Sequence, residues 1–121
     1  MTEARRQAFR YGRLAEGLCV WWLRLKGFSI LARDFRCPVG EIDIVARRGR
    51  LVVFAEVKAR ADREAAAETL SPRQRRRIER AAELFLARHP ALGGKDLRFD
   101  LLLVEPWRPP RHIADAWRPE A

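Results

Sequence analysis

The stretch GEIDIVARRGRLVVFAEVKAR, residues 40–60, sets three charged side chains among apolar neighbours: Asp43, Glu56 and Lys58. Two carboxylates, completed by a backbone carbonyl and waters, make the oxygen shell that Mg²⁺ prefers. A cation held there would polarise a phosphoryl oxygen and lower the pKa of a bound water. An ammonium beside them could orient that water or offset charge in the transition state. A phosphodiester is the substrate that needs both.

The elements that must position these side chains are two strands, Glu41–Arg48 and Leu51–Ala59, joined at Gly49-Arg50. A two-residue turn pairs Arg48 with Leu51, so counting back sets Asp43 opposite Glu56 and Glu41 opposite Lys58. A four-residue turn keeps this pairing and a three-residue turn breaks it. One face then carries Glu41, Asp43, Glu56 and Lys58, and the other carries Ile42, Ile44, Val53, Ala55 and Val57 as core. A solvated charged face accounts for Glu41 with Lys58. It does not account for Asp43 with Glu56, because like charges directly opposite destabilise a sheet. Protonation of one carboxyl, Lys58 between them, or a divalent cation would each relieve the repulsion, the cation most completely.

Around the hairpin, residues 3–26 repeat apolar side chains at three and four (Ala8, Tyr11, Ala15, Leu18, Cys19, Trp22), a helix with Arg6, Arg10, Arg13 and Arg24 opposite. Phe28–Arg36 reads as a first strand. Residues 61–70 read as a loop. Ser71-Pro72-Arg73-Gln74 opens a second helix as N-cap, first helical position and capping-box partner. Its core positions are Ile78, Ala81, Ala82 and Phe85, and His89-Pro90 ends it. Leu97–Glu105 is the last full strand, and the proline-rich tail reads as a loop with a short edge strand around His112-Ile113. The order α-β-β-β-α-β gives an α/β sandwich, a mixed sheet with helices packed on it. One domain over residues 1–117 and a disordered tail at 118–121 are expected.

Of the 121 residues, 25 are Lys or Arg and 16 Asp or Glu, a net charge of +9, which favours nucleic acid as partner. Arg13, Arg73, Gln74, Arg75, Arg76 and Arg77 are the candidate phosphate contacts, Gln74 being explained first by its capping role. The run Leu18–Leu23 is too short to span a bilayer and does not read as a signal segment, so no membrane partner is expected. Two cysteines form no disulfide framework, which points to a cytoplasmic location. Cys19 and Trp22 read as core, Arg98 with Asp100 as a structural ion pair, His89 and His112 as isolated surface groups. Trp107 and Trp117 are open to base stacking. Glu16, at the margin of the first helix's apolar face, reads equally as a surface partner of Arg13 or as part of a site.

Asp43 followed by Glu56-Val57-Lys58 resembles the PD-(D/E)xK signature of restriction-endonuclease-like nucleases, although no proline precedes this aspartate. The ordered blocks GRLAEG, RDFRCPVGEIDIVA, LVVFAEVKAR, RQRRRI and RFDLLLV, spanning roughly residues 11–104, are similar to the UPF0102 family of bacterial proteins. That resemblance implies a restriction-endonuclease-like fold close to archaeal Holliday-junction resolvases. It also implies a metal-dependent endonuclease acting on DNA phosphodiester bonds, with branched or junction DNA among its candidate substrates. Asp43, Glu56, Lys58 and Glu16 would be its catalytic residues, with Mg²⁺ or Mn²⁺ held by Asp43 and Glu56. A nucleic-acid-binding module that keeps the fold without turnover is the alternative reading.

Overall fold

The computed structural model describes residues 2–59 and 70–120, with the side chains of residues 4–11 set aside. The expected loop at 61–70 therefore lies outside the described residues, apart from Leu70, which is buried in the core. In chain order the elements are α1 (Glu3–Leu25), β1 (Ser29–Cys37), β2 (Gly40–Arg48), β3 (Leu51–Ala59), α2 (Pro72–Arg88), β4 (Asp96–Val104) and β5 (Arg111–Trp117). A 3-10 turn at Pro90–Leu92 precedes β4.

The five strands form one sheet in the order β1-β2-β3-β4-β5, and only β3 and β4 run parallel. This is a restriction-endonuclease-like α/β fold. The parallel pair needs a crossover, and α2 supplies one. The α-β-β-β-α-β order needs one correction. The expected short edge strand is a seven-residue β5, paired to β4 from Leu103↔Arg111 to Phe99↔Trp117.

Each helix covers one face of the sheet. Ala15, Cys19, Val20 and Leu23 of α1 pack on Ile44, Ala46, Val53, Ala55 and Leu102. Ile78, Ala81, Ala82 and Phe85 of α2 pack on Val45, Val52, Phe54, Phe99 and Leu101. Thus β3 is buried on both faces, which explains its continuous apolar run LVVFA better than a single core face does.

Local chemistry sets the ends of these elements. Gly49 takes φ +61° at the hairpin turn, as the first position of a II′ turn requires. The α2 capping box is complete: Ser71 Oγ accepts from Gln74 N–H at 3.2 Å, and Gln74 Oε1 accepts from Ser71 N–H at 3.2 Å. Gly40 is required by a close approach, because a Cβ there would lie 2.0 Å from the Arg77 carbonyl oxygen of α2.

Candidate active site

The turn fixes the register of the hairpin as expected, from Arg48↔Leu51 to Ile44↔Ala55. The next pair in that register is Asp43 with Glu56, and there the regular ladder stops. Instead of backbone pairing, the Val57 N–H donates to Asp43 Oδ2 at 2.8 Å. On the other side of β2, pairing passes from Arg33↔Ile44 to Phe35↔Ile42 and omits Asp34 with Asp43. Asp34 sits there in the left-handed region, φ +53°.

This double interruption reverses the alternation of β2. Ile44 and Ala46 belong to the α1-side core, whereas Ile42 joins Val45 on the α2 side. The expectation that Ile42 and Ile44 share a face is thereby corrected: an irregular residue at Asp43 shifts the pleat by one. Strand β3 stays regular. Val52 and Phe54 face α2, so alternation directs Glu56 and Lys58 to that side as well.

The charge pairing also differs from the simple ladder. Lys58 Nζ lies 3.5 Å from Glu56 Oε1, and both side chains are only 16% exposed. Glu41 pairs instead with Arg77 of α2, at 3.6 Å. The bend at Asp43 separates Glu41 from its counted partner and leaves Lys58 to Glu56.

Electrostatics sets Asp43 and Glu56 apart from ordinary carboxylates. Burial raises the Asp43 carboxyl, opposed by the Val57 amide, the hydrogen bond to Glu56 and the charge of Lys58. Burial, then the charge of Asp43, pushes Glu56 up to about 8, with Lys58 pulling the other way. The hydrogen bond between the two carboxyls raises Glu56 and lowers Asp43, so the two titrate as one coupled pair. Glu16 of α1 is raised by burial and then by the charges of Asp43 and Asp34. With Arg13, Arg33 and Asp34 it lines a cleft of about 290 Å³.

Two half-buried carboxyls disfavoured as anions fit a divalent cation, since ligation would neutralise the charge that desolvation penalises. Among the described residues, no group of three or more His, Cys, Asp or Glu side chains is placed to hold a metal ion. A cation would therefore rest on Asp43 and Glu56 and complete its shell with waters and a substrate oxygen, a mode common for Mg²⁺.

The other candidates divide. Arg73, Gln74 and Arg76 are exposed on the first turns of α2, and Arg13 is exposed on α1. Arg77 is engaged by Glu41, and Arg75 lies half-buried with its guanidinium 5.9 Å from the Trp117 ring centre. Trp107 is fully exposed, whereas Trp117 is core, stacked on Phe99 with 5.1 Å between ring centres. Cys19 is fully buried, and burial pushes its thiol up to about 12. Trp22 is partly buried against the α1-side core.

The ion pair Arg98–Asp100 is bidentate, at 2.8 Å on each oxygen. Asp100 is fully buried. It also receives the Asp115 N–H at 3.0 Å and His112 Nε2 at 2.6 Å, while Lys26 Nζ lies 2.9 Å from His112 Nδ1. Burial alone would raise Asp100; His112, Arg98 and the Asp115 amide more than offset it and hold the carboxyl at about 2. His112 is thus a member of a buried network and not an isolated surface group. His89 is exposed at the end of α2, with its ring stacked on Phe85 and Nδ1 2.7 Å from the Phe85 carbonyl oxygen. Sequence reasoning missed Arg33 and Asp34 beside Glu16. Only the clustering of charges in RDFR signalled them.

No described helix is long and apolar enough to cross a membrane. The family model described as "Uncharacterised protein family UPF0102" matches residues 15–104. A UPF0102 protein of Paramagnetospirillum magneticum is 55% identical, over 97% of this chain and 94% of its own. Another, from Parvibaculum lavamentivorans, is 56% identical over 93% of this chain and 84% of its own. A third, from Maricaulis maris, is 51% identical over 98% and 94%.

Proposed function

The chain belongs to the UPF0102 family, and from its site geometry we propose that it is a metal-dependent endonuclease hydrolysing DNA phosphodiester bonds, with branched or junction DNA among its candidate substrates. The observation that carries this reading is the pairing of two half-buried, charge-disfavoured carboxyls, Asp43 and Glu56, with Lys58 at 3.5 Å from Glu56. Two half-buried carboxyls that each disfavour the charge of the other cost stability that a purely structural site would have no reason to keep.

Asp43 and Glu56 would hold Mg²⁺ or Mn²⁺, which when bound supplies Lewis-acid polarisation of the phosphoryl oxygen and a more acidic water. The Val57 amide fixes the orientation of Asp43. Glu56 gives up its proton when the site is loaded, which makes loading pH-dependent. Lys58, beside Glu56, donates to the developing charge on the phosphoryl oxygens or orients the attacking water. Glu16 adds negative charge near Asp43 and strengthens the preference for a cation. The arginines at the start of α2 and Arg13 of α1 hold the strand by its phosphates.

The test is incubation of the full chain with linear, flapped and four-way-junction DNAs in Mg²⁺, Mn²⁺ or EDTA. Cleavage that requires metal and disappears in Asp43→Asn and Glu56→Gln supports the reading. Binding to the same DNAs without cleavage of any would leave the chain a nucleic-acid-binding module and overturn the enzymatic reading.

A further inference from the structure

A second cavity lies on the α2 side of the sheet, at the β5 edge. It has a volume of about 200 Å³ and is lined by Pro72, Arg75, Arg76, Glu79, Trp117, Arg118 and Glu120. Trp117 forms its fixed wall. The ring stacks on Phe99, and its Nε1–H donates to Glu79 Oε2 at 2.9 Å. That bond occupies one Glu79 oxygen, so three guanidinium groups, of Arg75, Arg76 and Arg118, and two carboxylates, of Glu79 and Glu120, surround this small space.

Their donors are incompletely used. Arg75 Nε is buried with no hydrogen-bond partner among the described residues. Arg76 makes no ion pair among the described residues. Arg118 spends Nε and Nη2 on Asp115, at 3.2 and 3.0 Å, and keeps Nη1. A buried donor without an acceptor is costly, and an oxyanion entering the cavity would satisfy it. The space is smaller than the roughly 300 Å³ at which pockets begin to take whole small molecules. It therefore suits a single phosphoryl group better than a nucleoside.

We propose that this cavity binds the terminal phosphate monoester of a nucleic-acid strand whose backbone runs to Asp43, Glu56 and Lys58. The inference rests on the nucleic-acid reading above and sharpens its substrate to a strand with a phosphorylated end. A monoester presents more charge and more acceptor oxygens than an internal diester, and guanidinium forks match such oxygens. Trp117 pairs with Phe99, and Glu56 with Leu101, along β4. Two strand spacings across the sheet and two residues along it thus separate Trp117 from Glu56 by roughly 12 Å. Both lie on the α2 side. That distance corresponds to about three to four stacked nucleotides.

The experiment measures binding of the full chain in EDTA, by fluorescence anisotropy, to one single-stranded oligonucleotide with a 5′-phosphate, a 3′-phosphate or hydroxyls at both ends. A phosphate at one end should tighten binding about tenfold, and the ratio should collapse toward one in Arg118→Ala and in Arg76→Ala. Thermal unfolding of each variant checks that the fold is intact, and Arg118→Lys should restore part of the ratio. Equal affinity for all three oligonucleotides would overturn the proposal, as would a ratio unchanged in both alanine variants. Because the readout is a ratio taken without metal, it fails or succeeds independently of whether the wild type cuts DNA.

Discussion

Asp43 and Glu56 hold more protons in the folded state than in the unfolded chain. Glu56 moves from an ordinary 4.5 to about 8, and Asp43 shifts in the same direction. A carboxyl raised in this way contributes stability that is complete below its unfolded value and lost as pH rises through its folded value. Metal-free protein should therefore lose stability between about pH 4.5 and 8 through this pair. Glu56→Gln removes the charge, so it should raise Tm at pH 8 by several degrees over wild type in EDTA. Mn²⁺ affinity should meanwhile fall at least about tenfold. Thermal scans against pH and calorimetric titration check both, and a Glu56→Gln protein less stable than wild type at pH 8 would contradict the assignment. Lys58 faces a different test. With Glu41 held by Arg77, Lys58 is not its ion-pair partner. Lys58→Ala should bind DNA in Ca²⁺ within a fewfold of wild type yet cut about 100-fold more slowly. Arginine should restore little, since its planar head cannot replace a compact ammonium. Wild-type cleavage by Lys58→Arg would exclude this role. The opposition of Asp43 and Glu56 was legible because a two-residue turn fixes register by counting. The interruption that swings Asp43 out of the ladder was not, since a shifted pleat leaves no mark in the order of residue types.

The elements show the same division between local rules and assembled ones. The α2 helix could be placed to the residue, because Ser71, Pro72 and Gln74 act within one turn of chain. The extent of β5 could not, because prolines surround it and its pairing depends on β4, across the chain. The contact of Gly40 with α2 was equally hidden. Nothing in CPVGEID says that a backbone 37 residues later will press against it, from Gly40 to Arg77. A methyl at position 40 would overlap the Arg77 carbonyl oxygen, and the helix would have to move. Gly40→Ala should therefore cost about 2–4 kcal/mol. It should also loosen the Arg77–Glu41 pair, while Gly49→Ala at the open turn should cost only about 1 kcal/mol from its left-handed φ. Urea unfolding of the two variants tests this order, and equal costs would show that α2 is not seated by Gly40.

Across the whole molecule, arginine supplies most of the positive charge and apolar side chains fill two core layers. The net +9 lies mostly on arginines, several of them exposed at the start of α2 and on α1. The five strands and one face of each helix fill the core with apolar side chains, while Leu14, Leu18, Trp21 and Leu25 of α1 stay exposed. Composition alone conveyed the basic charge and a chain apolar enough to fold. Composition could not convey that β3 is covered on both faces, since that depends on which side of the sheet each helix takes. If nucleic acid is held through phosphates, affinity should fall by about 0.9 log units per log unit of salt for each phosphate neutralised on duplex DNA. Four to six phosphate contacts would give a slope of roughly −4 to −5. Titration of duplex DNA from 50 to 300 mM salt in EDTA measures it, and a slope near zero would remove the arginines from the interface.

The amide of Val57 has a second use. Its proton is held by a side-chain carboxylate in place of the carbonyl of a neighbouring strand. The resonance frequency of that one amide and the rate at which its hydrogen exchanges with solvent depend on the charge and position of Asp43. The backbone thus carries a built-in spectroscopic reporter at the site. In a ¹⁵N-labelled sample, the Val57 signal should shift when Mn²⁺-free protein is titrated with Mg²⁺ or taken through the pH range in which Glu56 loses its proton. The amide of Phe54, paired deep in the sheet, should stay in place and serve as the internal standard.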